Sequence, residues 1–565
     1  MSAYEQIISM KSVFVLLFSL LCISGAQAQR TVGLLSHTSA SEDGYVLFAP
    51  IASHTTYLID KCGKEVHSWQ SSYGAGNSAY LLPDGSLLRA NNSGNAVFTS
   101  GSPGGTIERV DWDGTMRWSS NLSSTTECQH HDVCMMPNGN VLAIAWEVKS
   151  QADAIAAGRD PGSVGNTIWT EKIVELEPTG LNTANIVWEW DIWDHLVQDQ
   201  APTLSNYGTV SAHPELVNIN HPSNNPANPD WLHLNGIAYN ADLDQIVVSS
   251  FFMSELWIID HGTTTTEAAG HDGGKQAKGG DLLYRWGNPA AYARGTAADQ
   301  KLFALHNPHW IEKGLPDAGK IIIFNNGQNR PLSQYSTVDI IDPPVDTSGA
   351  YTLSSSSAFG PLNADWQYKA QTPEDFYSPI LSGAERLPNG NTLVCEGSKG
   401  TFFELDAANN IVWKYVSPVA AIIGPVNQGD IPGQNYVFRA VPYPASYPAF
   451  AGRTLAPGPP IERNPIPYDC FFISPTSVGN VSAGSREFHA ENPFGADISL
   501  SSDGPARQIG ATLMNYLGQA CGQWTLSIAN GKPTRLAVPQ SLAPGMYLLR
   551  VDDGSSASTL RLQHY

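Results

Sequence analysis

Two hairpin patterns alternate along most of the chain. In the first, a short apolar run meets a Pro-Asn/Asp-Gly turn and a second apolar run follows. It appears in Tyr80 to Ala90 (YLLPDGSLLRA), Met135 to Ala145 (MMPNGNVLAIA) and Arg386 to Cys395 (RLPNGNTLVC), with variants at Tyr239 to Ser250 and Leu315 to Gly327. Asn-Gly and Asp-Gly steps supply the positive φ that tight hairpin turns need. In the second pattern a strand, an acidic turn and a strand closed by Trp or another aromatic follow one another. Examples are Thr56 to Trp69 (TYLIDKCGKEVHSW), Ile107 to Trp118 (IERVDWDGTMRW), Ile173 to Trp190, Leu256 to Trp286 and Phe402 to Tyr415 (FFELDAANNIVWKY). Two hairpins give four strands, and the alternation predicts about six such units, over roughly 45–100, 105–165, 170–252, 255–327, 335–398 and 400–455. Four strands per unit of about 50–75 residues predict an all-β fold, a six-bladed β-propeller over 29–470, rather than an irregular sandwich. Beyond about residue 470 the turn pattern stops and Ser and Thr rise. Alternating apolar and polar positions there predict a small C-terminal antiparallel β-sandwich over 484–565.

Length and charge narrow the function classes. A chain of 565 residues exceeds one ordinary domain unless it is built from repeats. With 42% hydrophobic and 15% charged residues it buries a large core. Lys+Arg number 31 and Asp+Glu 52, a net charge of −21. That surface argues against nucleic acid and anionic membranes as partners. It leaves room for an anionic small substrate, since a pocket can carry a local field opposite to the whole.

The N-terminus predicts export. Ser12 to Ile23 (SVFVLLFSLLCI) is one apolar run after Lys11, followed by Ala26-Gln27-Ala28. This is the layout of a signal peptide over residues 1–28, and the run is short for a membrane span. No later stretch is apolar enough to cross a bilayer, so no transmembrane segment is expected in the mature chain. Six cysteines remain after residue 28: Cys62, Cys128, Cys134, Cys395, Cys470 and Cys521. They are too few for a disulfide scaffold, and no Cys-x-x-Cys pair points to zinc. One pair could form, Cys128–Cys134 being nearest in sequence.

Alignment of the repeats on their turns puts His131, His233 and His306 at one repeat position in three consecutive units. In a propeller, equivalent positions at the start of an inner strand point to one mouth of the channel, so three imidazoles should converge. They could hold a metal. Alternatively, a neutral imidazole could attack an electrophile while its neighbours hold the developing negative charge. Asn235, two residues from His233, leaves the same strand face. An amide donor beside imidazoles fits oxyanion binding better than metal ligation, so no metal is assigned to the site. His130 and His309 fall off register and are expected to be structural.

At these residues the sequence resembles bacterial aryl-sulfate sulfotransferases. The resemblance rests on Asp230-Trp231-Leu232-His233-Leu234-Asn235-Gly236-Ile237, His130-His131-Asp132, the blocks Gly280 to Pro289 and Leu302 to Ile311, and Ser382 to Gly397, and it runs from about 45 to 455. It implies a six-bladed propeller that moves a sulfuryl group from a phenolic sulfate donor to a phenol acceptor by a ping-pong route, with no cofactor and no nucleotide sulfate. It also implies that His306 is the nucleophile and that His131, His233 and Asn235 bind the sulfuryl oxygens. The family commonly has an Arg within Ser-Ser-Arg where this chain has Ser249-Ser250-Phe251. A lost guanidinium removes a bidentate oxyanion clamp. Arg439 is the first candidate to replace it and Arg294 the second; Glu396, closing an inner strand, is a further candidate for the channel. The tail, at Asn492-Pro493-Phe494 and Leu542 to Val551, resembles the C-terminal sorting domain of the type IX secretion system. That implies a secreted or cell-surface protein that partners the type IX machinery. A non-catalytic surface propeller that binds a ligand or protein is the alternative, and Phe251 favours it.

Overall fold

A computed structural model describes residues 30–101, 103–222, 227–471, 488–490, 494–515, 520–539, 542, 545–553 and 557–564. The signal peptide at 1–28 and the Asn492-Pro493 step lie outside the described residues. The described chain is all-β with only short helical turns, and divides into two compact units. Residues up to 35, 40–405 and 413–470 form the first; 36–39, 406–412 and 471–565 form the second.

The first unit contains six antiparallel sheets of at least four strands among the described residues. Each begins with a buried inner strand: β1 (Gly74–Leu81), β2 (Glu127–Met135), β3 (Leu234–Asn240), β4 (Leu305–Trp310), β5 (Gly383–Arg386) and β6 (Val437–Tyr443). Five sheets take their four main strands consecutively from the chain. The sixth joins the two ends of the unit, β6 pairing with Tyr45–Pro50, then Thr55–Asp60 and Glu65–Gln70. The inner strands pack neighbour on neighbour, β1 on β2 and so on to β5 on β6, and β6 on β1. The sheets start half a unit later than the repeat ranges above. The Pro-Asn-Gly hairpin opens a sheet and the following Trp-closed hairpin completes it, except that Thr56 to Trp69 completes the sheet opened by β6.

Each inner strand has a local irregularity near its start. The pairing register of β1, β2, β3, β4 and β6 shifts there. His131 (φ 52°), His233 (φ 53°) and Asn307 (φ 56°) take left-handed backbone at these points, and Leu381 and Ser382 do so just before β5. A bulge re-aims side chains and breaks the strict alternation of a strand. His131 and His233 are themselves the left-handed residues, whereas His306 immediately precedes one. The three histidines are therefore close to one repeat position without sharing it residue for residue.

The cysteine pairing is corrected. Cys62 and Cys470 form a disulfide within the first unit, and Cys128 and Cys134 are free thiols. Both lie on β2, but Cys128 pairs across to Trp146 and Cys134 to Leu142, so β2 holds them apart along its length. The second unit has a three-stranded and a four-stranded antiparallel sheet sharing one core, with Phe488, Ile498, Leu500, Ile509, Leu513 and Leu549 buried. No helix among the described residues is long and apolar enough to cross a membrane.

Candidate active site

His131 and His233 meet edge to face, their ring centroids 4.6 Å apart. His306 joins them through two shared phenyl rings. Phe251 lies 5.6 Å from His233 and 5.7 Å from His306. Phe438 lies 6.0 Å from both His131 and His306. Histidines of three successive sheets thus converge around shared aromatic rings, with His131 and His306 almost wholly buried. Gly101 approaches from the loop of the first sheet: a Cβ there would stand 2.8 Å from His233 Cε1 and 3.2 Å from His131 Cε1.

Each imidazole is oriented by a different partner. His306 Nδ1 lies 2.7 Å from Asn326 Oδ1. The Asn326 amide nitrogen donates to the carbonyls of Ser378 (2.8 Å) and Leu381 (2.9 Å), which fixes its oxygen toward the ring. His306 must therefore donate from Nδ1, leaving the Nε2 lone pair free. Burial outweighs the Asn326 bond and lowers the His306 pKa to about 3, with His233 and Arg439 adding to the effect, so this ring is neutral. His233 Nδ1 lies 2.6 Å from Asp230 Oδ2, which makes it the one ring of the three paired with a carboxylate.

His131 has an imidazole behind it. Its Nδ1 is 2.8 Å from His130 Nδ1, and His130 Nε2 is 2.7 Å from Glu171 Oε2. His130 stacks on Trp146 at 3.7 Å. Burial first, then neighbouring histidines, pushes both rings well below their ordinary pKa. Burial and the nearby Asp230 push Glu171 well above the carboxylate range. His130 is thus part of the cluster's hydrogen-bonded support. The sequence carries no sign of this, because Glu171 belongs to the third strand of the sheet.

The other expected residues divide. Asn235 is fully buried; it donates to the Leu305 carbonyl (2.9 Å) beside His306 and accepts from Ser249 (2.6 Å). One of its N–H groups is left over. Arg439 donates to Asp132 (2.9 Å) and to the Tyr80 hydroxyl, while its Nε and Nη2 are buried without a hydrogen-bond partner. Burial opposes its charge, but Asp132, Tyr80 and Glu385 outweigh that and raise its pKa. It lines a cavity of about 520 Å³ together with Tyr80, Asn307, His309, Glu385 and Tyr443. His309 pairs there with Glu385 at 2.9 Å.

Arg294 and Glu396 are not brought to the cluster. The Arg294 guanidinium donates to the carbonyls of Ser211, Ser354 and Ser357, fastening loops. Glu396 ends the strand next to β5 rather than an inner strand, and pairs with Lys399 at 2.5 Å on the turn that follows. Of the orienting partners, Asp230 was within reach of sequence reasoning, three residues before His233. Asn326 follows a recognisable turn, but nothing in the sequence tells its amide from that of Asn325.

The family described as Arylsulfotransferase (ASST) matches residues 36–418. The arylsulfate sulfotransferase AssT of Escherichia coli O6:H1 is 24% identical over 295 residues, 49% of this chain and 46% of that protein. The match therefore spans about half the length of that curated relative. Among solved structures, a protein of unknown function from Bacteroides caccae has a TM-score of 0.37 at 11% identity, covering 71% of this chain and 98% of that one. The periplasmic gluconolactonase PpgL of Pseudomonas aeruginosa has a TM-score of 0.33 at 9% identity, covering 88% and 99%.

Proposed function

The chain belongs to the arylsulfotransferase family, and from that premise we propose that it moves a sulfuryl group from a phenolic sulfate ester to a phenolic acceptor through a sulfohistidine on His306. In the first half-reaction His306 Nε2 attacks sulfur, the S–N bond forms and the bond to the aryl oxygen breaks. The departing phenolate takes a proton from His233, the ring that faces the Asp230 carboxylate. In the second half His233 recovers that proton from the incoming phenol, whose oxygen attacks sulfur as the S–N bond breaks. One phenol replaces another, so the transfer is nearly balanced in energy and needs no nucleotide donor.

The observation that carries this proposal is the fixed tautomer of His306. Its Nδ1 is held by an amide oxygen that can only accept, which leaves a neutral Nε2 nucleophile. The sulfuryl oxygens are held by His131, the remaining N–H of Asn235 and the unpartnered N–H groups of Arg439. Arg439 supplies the positive charge missing at Phe251. Arg294 and Glu396 have no part in the chemistry.

The six sheets are read as the blades of a closed six-bladed propeller spanning 29–470, supported by the cyclic packing of β1 to β6. The tail over 484–565 is read as a sorting β-sandwich for type IX export, and residues 1–28 as a signal peptide, giving a secreted or surface-attached enzyme. The shared core of the two tail sheets supports the sandwich.

Incubation with 4-nitrophenyl sulfate, with and without phenol, tests the activity. Nitrophenolate release that depends on phenol, with one sulfuryl group mapped to His306 by intact and peptide mass, is the expected result. Release without acceptor would make the protein a hydrolase. No release by the wild type would leave the ligand-binding propeller that Phe251 favours.

A further inference from the structure

We propose that His195, His271 and Asp281 form a binding site for zinc or a chemically similar divalent ion, on the wall of a second cavity of about 780 Å³. None of the three belongs to the imidazole cluster around His306. The first residue is 76 positions from the second and the second 10 from the third, so the fold, not a local motif, assembles them.

His195 is the most deeply buried of the three. This ring is fully buried and lies parallel to Trp190, 5.6 Å between centroids. Its Nε2 is 2.8 Å from the carbonyl oxygen of Ala268. A carbonyl only accepts, so Nε2 carries the proton. In a neutral ring Nδ1 is then a bare lone pair, and it lies 2.8 Å from Asp281 Oδ1. Two acceptors at that distance repel, so a positive charge belongs between them. Either a proton is shared between the two atoms, or a metal cation binds both.

His271 favours the metal. Its Nδ1 also lies 2.8 Å from Asp281 Oδ1, although its side chain is 62% exposed and no burial draws it there. Two imidazole nitrogens converging on one carboxylate oxygen are a ligand set of the kind zinc and neighbouring transition metals take. Calcium and magnesium prefer all-oxygen sets. The Ala268 carbonyl behind His195 is the sort of outer contact that fixes the tautomer of a metal-bound imidazole. Zinc–nitrogen and zinc–oxygen bonds of about 2.0–2.1 Å in a tetrahedron separate ligand atoms by roughly 3.3 Å. Both imidazole–carboxylate separations, 2.8 Å each, need to open by about half an ångström to reach that geometry. His271 and Asp281 both line the cavity, beside the His213–Glu215 pair (3.0 Å), so the remaining coordination position opens to water.

Equilibrium dialysis of the tag-free full-length protein against zinc chloride, followed by elemental analysis, tests the proposal. One tightly held zinc per chain is expected, with a raised unfolding temperature. Cobalt substitution should give the visible absorption of a nitrogen–oxygen site. His271→Ala and, more conservatively, His271→Gln should lose at least tenfold in zinc affinity and abolish the cobalt spectrum, while the zinc-free unfolding temperature stays near that of the wild type. Zinc stoichiometry near zero in the wild type overturns the proposal and leaves a proton-bridged His195–Asp281 contact. One zinc per chain that both variants retain with unchanged affinity overturns it equally, since the ion then sits elsewhere.

Discussion

At the scale of single residues, the imidazole cluster works against acid. His306 has a folded pKa of about 3, below its ordinary 6.5. Between those values the unfolded chain binds a proton that the folded chain does not. The stability this ring contributes is therefore whole above pH 6.5 and is lost as pH falls through the window, at up to about 1.4 kcal/mol per pH unit. Urea unfolding of the wild type and of His306→Asn between about pH 7 and 4 should show the wild type losing stability more steeply. Parallel curves would mean that His306 is already protonated in the fold. On the proposed mechanism His306 attacks as the neutral ring, which it remains over the same range, so sulfuryl transfer to it should persist well below neutrality. Gly101 confines the other two rings. It has φ +62° and stands where a Cβ would press on both His233 and His131. Gly101→Ala should cut turnover by at least tenfold while lowering the unfolding temperature by only a few degrees. Turnover equal to the wild type would show that the loop yields and that His131 and His233 need no fixed position.

At the scale of elements, the inner strands explain both what the sequence revealed and what it hid. Turn chemistry and Trp-closed strands are local signals, so hairpins such as Tyr80 to Ala90 and Arg386 to Cys395 could be read directly. The irregularities at the starts of β1 to β4 and of β6 could not, because a bulge is set by the pairing of two strands. That is why His131, His233 and His306 could be brought to one repeat position only in approximate register, although the fold does bring the three rings together. It is also why Glu171, two strands away from His130, stayed invisible, and why Arg294 was credited with a role that its bonds to three loop carbonyls do not support. Asp132 is the point at which four inner strands meet. It accepts from Tyr80 on β1 (2.7 Å), from the Ile237 amide on β3 (3.2 Å) and from Arg439 on β6 (2.9 Å), while itself standing on β2. Asp132→Ala would strand the buried Arg439 charge and should cost about 3–5 kcal/mol, measured by chemical denaturation. Asp132→Ala combined with Arg439→Met should recover part of that loss, because the uncompensated charge is gone. Equal instability of the single and double variants would show that the backbone bond to Ile237, rather than the ion pair, holds β2 to β3.

At the scale of the whole molecule, the first unit joins its two ends twice. The strand pairing of β6 with Tyr45–Pro50 is one closure, and the Cys62–Cys470 disulfide, spanning 408 residues of sequence, is the other. A cross-link between such distant points restricts the unfolded chain strongly, and native disulfides of this kind typically contribute about 2–5 kcal/mol. The buried Lys61–Glu404 pair and the Trp413 indole, which donates to the Lys61 carbonyl, hold the segment next to Cys62 against the fifth sheet without help from the bridge. The fold should therefore survive reduction but lose cooperativity at its junction. Calorimetry with and without reductant, and on a Cys62→Ser/Cys470→Ser variant, should show a matching drop of several degrees in the unfolding temperature, with β-sheet circular dichroism retained at room temperature. Thiol counting on the native oxidised protein should find Cys128 unreactive, because it is buried. Denatured without reductant, the chain should expose four thiols after residue 28, the free cysteines being Cys128, Cys134, Cys395 and Cys521. A count of two there would mean a second bridge, and an unfolding temperature indifferent to reductant would assign the joining of the two ends to the β6 pairing alone.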